Sequence, residues 1–146
     1  MITKPFACVL LAAASLAASV AAQATESACV RLSDGWIRYP AMAHMAGGFG
    51  RIDNTCKADV AVTSVRSAAF KAVSLHETTL VDGVSRMREV ERLPVAAGKG
   101  VELKPGGLHL MLMDGAGPLQ EGQRVPLWLG LSDGTEVRGE LVVRKP

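Results

Sequence analysis

Two Asp-Gly dipeptides, Asp82-Gly83 and Asp133-Gly134, each lie between runs of alternating apolar and polar residues. Asp-Gly tolerates the left-handed backbone of a two-residue hairpin loop, and alternation at period two is the pattern of a half-buried strand. Each dipeptide therefore commits its flanks to antiparallel pairing. Val73 to Val81 pairs with Val84 to Val90, and Val125 to Leu131 pairs with Glu136 to Val143. The same alternation marks Cys29 to Trp36, Gly47 to Ile52, Val60 to Val65, Gly100 to Leu103 and Leu108 to Met113. Helical periodicity is absent, and Ser67 to Lys71 is the one place left for a helical turn. About nine short strands joined by polar turns predict an all-β domain closed as a β-sandwich or Greek-key barrel.

The N-terminus reads as a secretion signal. Lys4 precedes an apolar run from Phe6 to Val20, and Ala22-Gln23-Ala24 has the form of a signal-peptidase site. The run is short for a membrane span, which disfavours an N-terminal anchor. Residues 1–24 are expected to be removed, with Cys8 among them, and residues 25–146 to form one domain in the periplasm. The full chain carries a formal charge of +2, which becomes +1 without Lys4. Near-balance with interspersed charges excludes a nucleic-acid partner, which would need a basic stripe. The mature chain keeps two cysteines, Cys29 and Cys56. In an oxidising compartment an even count reads first as a disulfide, which would stabilise the fold by about 3 kcal/mol. The rival reading is a pair of copper thiolates.

Histidine and methionine fall into one spaced set. His76 and Met87 are separated by ten residues, and twenty-one more precede His109-Leu110-Met111. With Asp82-Gly83 at the hairpin tip, Thr78 lies opposite Met87, and His76 becomes the diagonal neighbour of Met87 on the same face. In Leu108 to Met113 the leucines take one face, and His109, Met111 and Met113 take the other. The leucines suit a core, so the second face needs another explanation. Thioethers neither shuttle protons nor attack carbonyls. Together with imidazole they make a soft N2S2 cradle that selects Cu(I). Read singly, each of these residues is more readily a core methionine or a surface histidine, and it is the joint pattern that brings a metal site level with that reading. Met42, His44 and Met45 add soft groups in the loop before the second strand. That loop is either without a metal role, a second weaker copper site, or a lid. Met113 is either a fifth thioether or an apolar rim.

The spacing resembles the motif of the PCuAC family of periplasmic copper chaperones: a His, ten residues, a Met, twenty-one residues, then His-x-Met. The surroundings match as well, at Asp34-Gly35-Trp36, Leu75-His76-Glu77, Lys104-Pro105-Gly106-Gly107 and Pro118-Leu119. The resemblance implies a cupredoxin-like β-sandwich that binds Cu(I) through His76, Met87, His109 and Met111. It also implies delivery of copper to an acceptor such as a cytochrome oxidase subunit or its assembly factor, without catalysis. Glu77 departs from members that place a Met directly after the first His. An electron-transfer cupredoxin would need a cysteine thiolate beside its histidines, and no cysteine lies near His109. A peptide- or sugar-binding sandwich would want aromatic platforms. The mature chain offers only Trp36, Trp128, Tyr39 and two Phe.

Overall fold

The computed structural model describes residues 22–38 and 44–145. The expected signal, apart from residues 22–24, and the loop residue Met42 lie outside that range. Among the described residues ten strands form the fold. They are β1 (Val30–Arg38), β2 (Met45–Asn54), β3 (Val60–Arg66), β4 (Phe70–Val81), β5 (Val84–Glu89), β6 (Leu93–Val95), β7 (Gly100–Leu103), β8 (Leu108–Gly115), β9 (Arg124–Leu131) and β10 (Glu136–Arg144).

The strands hydrogen-bond in the order β5-β4-β8-β2-β1-β10-β9-β3-β6, with β7 on a second stretch of β2. β1 runs parallel to β10, with Trp36 opposite Val142, and the other strand pairs are antiparallel. The sheet folds over so that β3 meets β4, which are far apart in that order. The core fills the space between the two halves. It holds Ile37, Ile52, Val62, Leu75, Leu110, Leu112, Leu127, Leu129, Leu141 and Val143. β9 shows how the sequence achieves this: Val125, Leu127, Leu129 and Leu131 are buried and alternate with less buried neighbours. An all-β sandwich is thus the observed architecture.

Three details differ from the sequence reading. A tenth strand, β6, is only three residues long and has Pro94 at its centre. Leu93 and Val95 are buried while Pro94 faces out, and β6 pairs only with β3 at the end of the sheet. An edge position is where a residue without an N–H is tolerated. Second, Ser67 to Lys71 holds no helix: a tight turn at residues 68–69 leads straight into β4. Ser67 bridges to Phe70, and the Ser67 hydroxyl accepts from the Ala69 amide (3.2 Å) while donating to the Pro126 carbonyl (2.8 Å). A local side-chain hydrogen bond of this kind replaces the backbone bond of a helical turn. Third, strand ends run past the expected limits, as at Phe70 and Gly115.

The Asp82-Gly83 hairpin has the expected register. Val81 pairs with Val84, Thr78 with Met87 and His76 with Glu89. Asp82 and Gly83 both adopt positive φ, 52° and 76°, as a two-residue primed turn demands. Cys29 and Cys56 are bonded, with Cα atoms 5.1 Å apart. The bridge ties the start of β1 to the loop after β2. Beside it, Asn54 is fully buried. Its amide donates to the carbonyls of Ala58 (3.0 Å) and Val95 (2.9 Å), and its oxygen accepts from the Cys56 amide (2.8 Å).

Candidate metal centre

β4 lies between β5 and β8, and this arrangement assembles the site. His76 on β4 sits directly opposite His109 on β8, with ring centroids 6.0 Å apart and planes inclined by 28°. Met111 is opposite Ser74, which makes it the diagonal neighbour of His76. Met87 on β5 is opposite Thr78, diagonal to His76 on the other side. All four share the face of the sheet away from Leu110 and Leu112, because residues two apart on a strand point the same way. The structure therefore puts the two histidines in contact range and flanks them with the two methionines on opposite diagonals. The flanking is unequal. Met111 is half-buried, whereas Met87 is 53% exposed on a strand whose every residue is exposed.

Hydrogen bonding leaves each imidazole with a nitrogen to spare. His109 is 8% exposed, and its Nδ1–H donates to the Gly107 carbonyl at 2.9 Å. That bond fixes the tautomer and leaves Nε2 with a free lone pair. Ligating histidines are commonly oriented in this way by a carbonyl on the other nitrogen. His76 has Nε2 2.9 Å from the Ser74 hydroxyl, and its Nδ1 is buried with no partner. A buried polar atom without a partner costs about 1–3 kcal/mol. In the tautomer whose Nε2–H donates to the Ser74 hydroxyl, Nδ1 carries a bare lone pair, which suits an electrophile and not a proton donor.

The surroundings limit what the pair can hold. Glu89 lies directly opposite His76 and shares its face, while Glu77 points the other way and is paired with Arg88. Among the described residues no three His, Cys, Asp or Glu side chains come together. A set of two histidines and a carboxylate is thus not formed, and the thioethers are the remaining donors. On its other flank His109 meets Phe49, at 6.5 Å between centroids, and Phe49 packs on Trp36 at 4.6 Å. Arg38 lies over Phe49 and Arg144 over Trp36. This aromatic rim was not foreseen in the sequence, because Trp36 and Phe49 come from two strands whose register no local signal gives. Apolar walls on one side raise the cost of hydrating the imidazoles. The cysteines play no part: as a disulfide they offer no thiolate. Asn54, beside them, lies five residues along β2 from Phe49, a separation of about 16 Å.

A family model described as LpqE-like, for the putative lipoprotein LpqE and its relatives, matches residues 30–143. The chain belongs to the LpqE-like family. A putative lipoprotein of Leifsonia xyli subsp. xyli is 34% identical over 126 residues, covering 84% of this chain and 74% of that one. Among solved structures, the apo PCuAC domain of PmoF1 superposes with a TM-score of 0.67 at 18% identity, covering 85% of this chain and all of that domain. The copper-bound PCuAC domain of PmoF2 gives 0.67 at 19% identity, covering 86% of this chain and 100% of that domain. The Cu(I) form of DR1885 from Deinococcus radiodurans gives 0.60 at 21% identity, covering 82% of each chain. At these identities the structures establish a shared fold. This LpqE-like chain thus carries the His/Met spacing on a PCuAC-type sandwich. Among the described residues no helix is long and apolar enough to cross a membrane.

Proposed function

We propose that this LpqE-like protein is an exported Cu(I) carrier that holds one copper through His76, Met87, His109 and Met111 and passes it to an acceptor protein. The observation that carries the reading is the unpartnered Nδ1 of His76, buried beside an imidazole whose own Nδ1 is already spent on Gly107. Two neutral imidazoles and two neutral thioethers match a soft monovalent ion. They supply no negative charge to offset a divalent one, so zinc should bind more weakly. The PmoF2 domain is described as copper-bound and DR1885 as its Cu(I) form, both on this fold, which supports copper as the ion proposed here. The role proposed for the site is to carry copper and not to catalyse, with the Ser74 hydroxyl orienting the His76 ring at 2.9 Å. An acceptor offering a thiolate or imidazole can displace the ligands one at a time. A copper site of cytochrome oxidase, or a factor that assembles it, is the acceptor we propose.

Export through cleavage before Thr25 would place the domain in the periplasm. The family and the Leifsonia relative are described as putative lipoproteins. Cys8 would leave with the signal, so we propose a mature chain without a lipid on that residue. The mass of the exported protein tests this point directly.

Replacing Met87 and Met111 with Leu removes both sulfurs and roughly keeps their volume. Two lost ligands should weaken Cu(I) binding about 100-fold, or about 3 kcal/mol, in an anaerobic competition titration. Unchanged affinity would disprove the assignment. Zinc competing on equal terms with Cu(I) would redirect it to the histidines with Glu89.

A further inference from the structure

The row of thioethers does not stop at Met111. β2 pairs with β8 so that Met45 is directly opposite Met113 and Gly47 is opposite Met111. On the other side of β8, β4 places Ala72 opposite Met113 and Ser74 opposite Met111. Met45, Met111 and Met113 therefore share one face. Met45 and Met113 are direct cross-strand neighbours, Met45 and Met111 are diagonal, and Met111 and Met113 are two residues apart. These relations put the three Cβ atoms within about 5–8 Å of one another. A thioether on three rotatable bonds spans such gaps easily. Gly47, opposite Met111, has no side chain of its own, and the Phe49 ring covers it, where an added Cβ would meet the ring at 3.1 Å. The start of β2 is also held in place: the Asp114 amide donates to the His44 carbonyl at 3.2 Å. Met45 is 54% exposed, so its sulfur is open to solvent, while Met113 and Met111 are half-buried behind it.

We propose that Met45, Met113 and Met111 form a second soft-metal site, a trithioether landing place from which Cu(I) moves to His76 and His109. The proposal rests on the copper-carrier reading above and extends it to a loading route. Met111 is the shared ligand. Copper held by three sulfurs exchanges the thioethers of Met45 and Met113 for the free lone pairs of His76 Nδ1 and His109 Nε2, while Met111 stays bound. Two Cu–S bonds break, and two Cu–N bonds and the Cu–S bond to Met87 form. The copper remains Cu(I), no electron is transferred, and no proton moves. Three neutral thioethers hold Cu(I) less tightly than a set containing two imidazoles. Transfer therefore runs from the solvent-exposed end of the row to the half-buried one.

Methionine methyl NMR on the full mature chain, with 13C-methyl methionine and anaerobic Cu(I), reads both sites at once. In the His76→Asn/His109→Asn variant the first equivalent of Cu(I) should shift the methyls of Met45, Met111 and Met113 together. Silent Met45 and Met113 methyls in that folded variant would overturn the second site. Should the variant not fold, Met45→Leu/Met113→Leu carries the test alone. It should slow copper loading from a Cu(I)–chelator complex by about fivefold or more and leave the equilibrium affinity of the first copper within about twofold. An unchanged loading rate would overturn the proposal. A wild-type spectrum in which Met87 stays silent while Met45, Met111 and Met113 shift would count against the primary His/Met site and uphold the second.

Discussion

Asn54 is the place where a single substitution should cost most for its size. Its side chain makes three hydrogen bonds within a site that is 1% exposed, tying β2 to β6 and to the loop that carries Cys56. In Asn54→Ala the Val95 carbonyl loses its side-chain donor inside the core, worth about 2 kcal/mol. The Ala58 carbonyl and the Cys56 amide are half-exposed and can recruit water, so each loss is worth about 0.5–1 kcal/mol. The sum is about 3–4 kcal/mol, a large part of the ~5–15 kcal/mol that holds a typical domain together. Urea unfolding of the oxidised protein should show a lower midpoint at unchanged slope. Asn54→Asp keeps the acceptor for Cys56 but turns both donors into a carboxylate facing two carbonyls, so it should be at least as harmful at neutral pH. The disulfide constrains the same loop. The cost of Asn54→Ala in a Cys29→Ser/Cys56→Ser background should therefore differ from its cost in the oxidised protein by about 1 kcal/mol. A folded Asn54→Ala protein within about 1 kcal/mol of wild type would contradict this account of the buried amide.

The other expectations are simpler. Cys29→Ser/Cys56→Ser should destabilise the apo protein by about 3 kcal/mol and leave Cu(I) affinity unchanged, checked by unfolding and competition titration; thiol counting on native exported protein should find no free thiol. Leu110→Ala, which empties a fully buried position, should cost about 2–5 kcal/mol, whereas Met113→Leu on the opposite face should cost under about 1 kcal/mol in the same unfolding assay. Asp133 is held below its ordinary 3.8, chiefly by the Thr135 hydroxyl and then by the Thr135 amide. A depressed carboxyl adds stability above its unfolded value and loses it as pH falls through the folded value. Thr135→Val should thus be slightly less stable than wild type at neutral pH, with the gap closing in more acidic solution. The effect is small because the carboxylate is exposed.

What the sequence reveals here is set by distance along the chain. The Asp82-Gly83 turn fixes the pairing of Thr78 with Met87 within a dozen residues, so that register was readable from composition and spacing. The alternation of Leu108 to Met113 likewise separated core leucines from the His/Met face. No local pattern says that β8 lies beside β4, and that adjacency is what sets His76 against His109. The parallel contact of β1 with β10 and the aromatic rim beside His109 are hidden for the same reason. β6 escaped because three residues around a proline carry almost no periodic signal. Ser67 to Lys71 misled because serine and alanine fit a helical turn as well as the hydroxyl-capped turn that forms. Asn54 gives no signal at all: a polar residue closing a strand reads as surface until its three partners are seen.

Among the described residues β5 has a sheet neighbour on one side only, and its residues are exposed on both faces. Little apolar packing resists its opening. Strands of this kind separate from a sheet at free energies well below that of global unfolding. The histidines are in a different position, since β4 and β8 each have neighbours on both sides. Amide hydrogen exchange should therefore sort the donors into two groups: slow exchange along β4 and β8 around His76 and His109, and fast exchange along β5 around Met87. In the proposed site the two imidazoles and Met111 are the fixed part, and the Met87 thioether is the part that can leave without disturbing the fold.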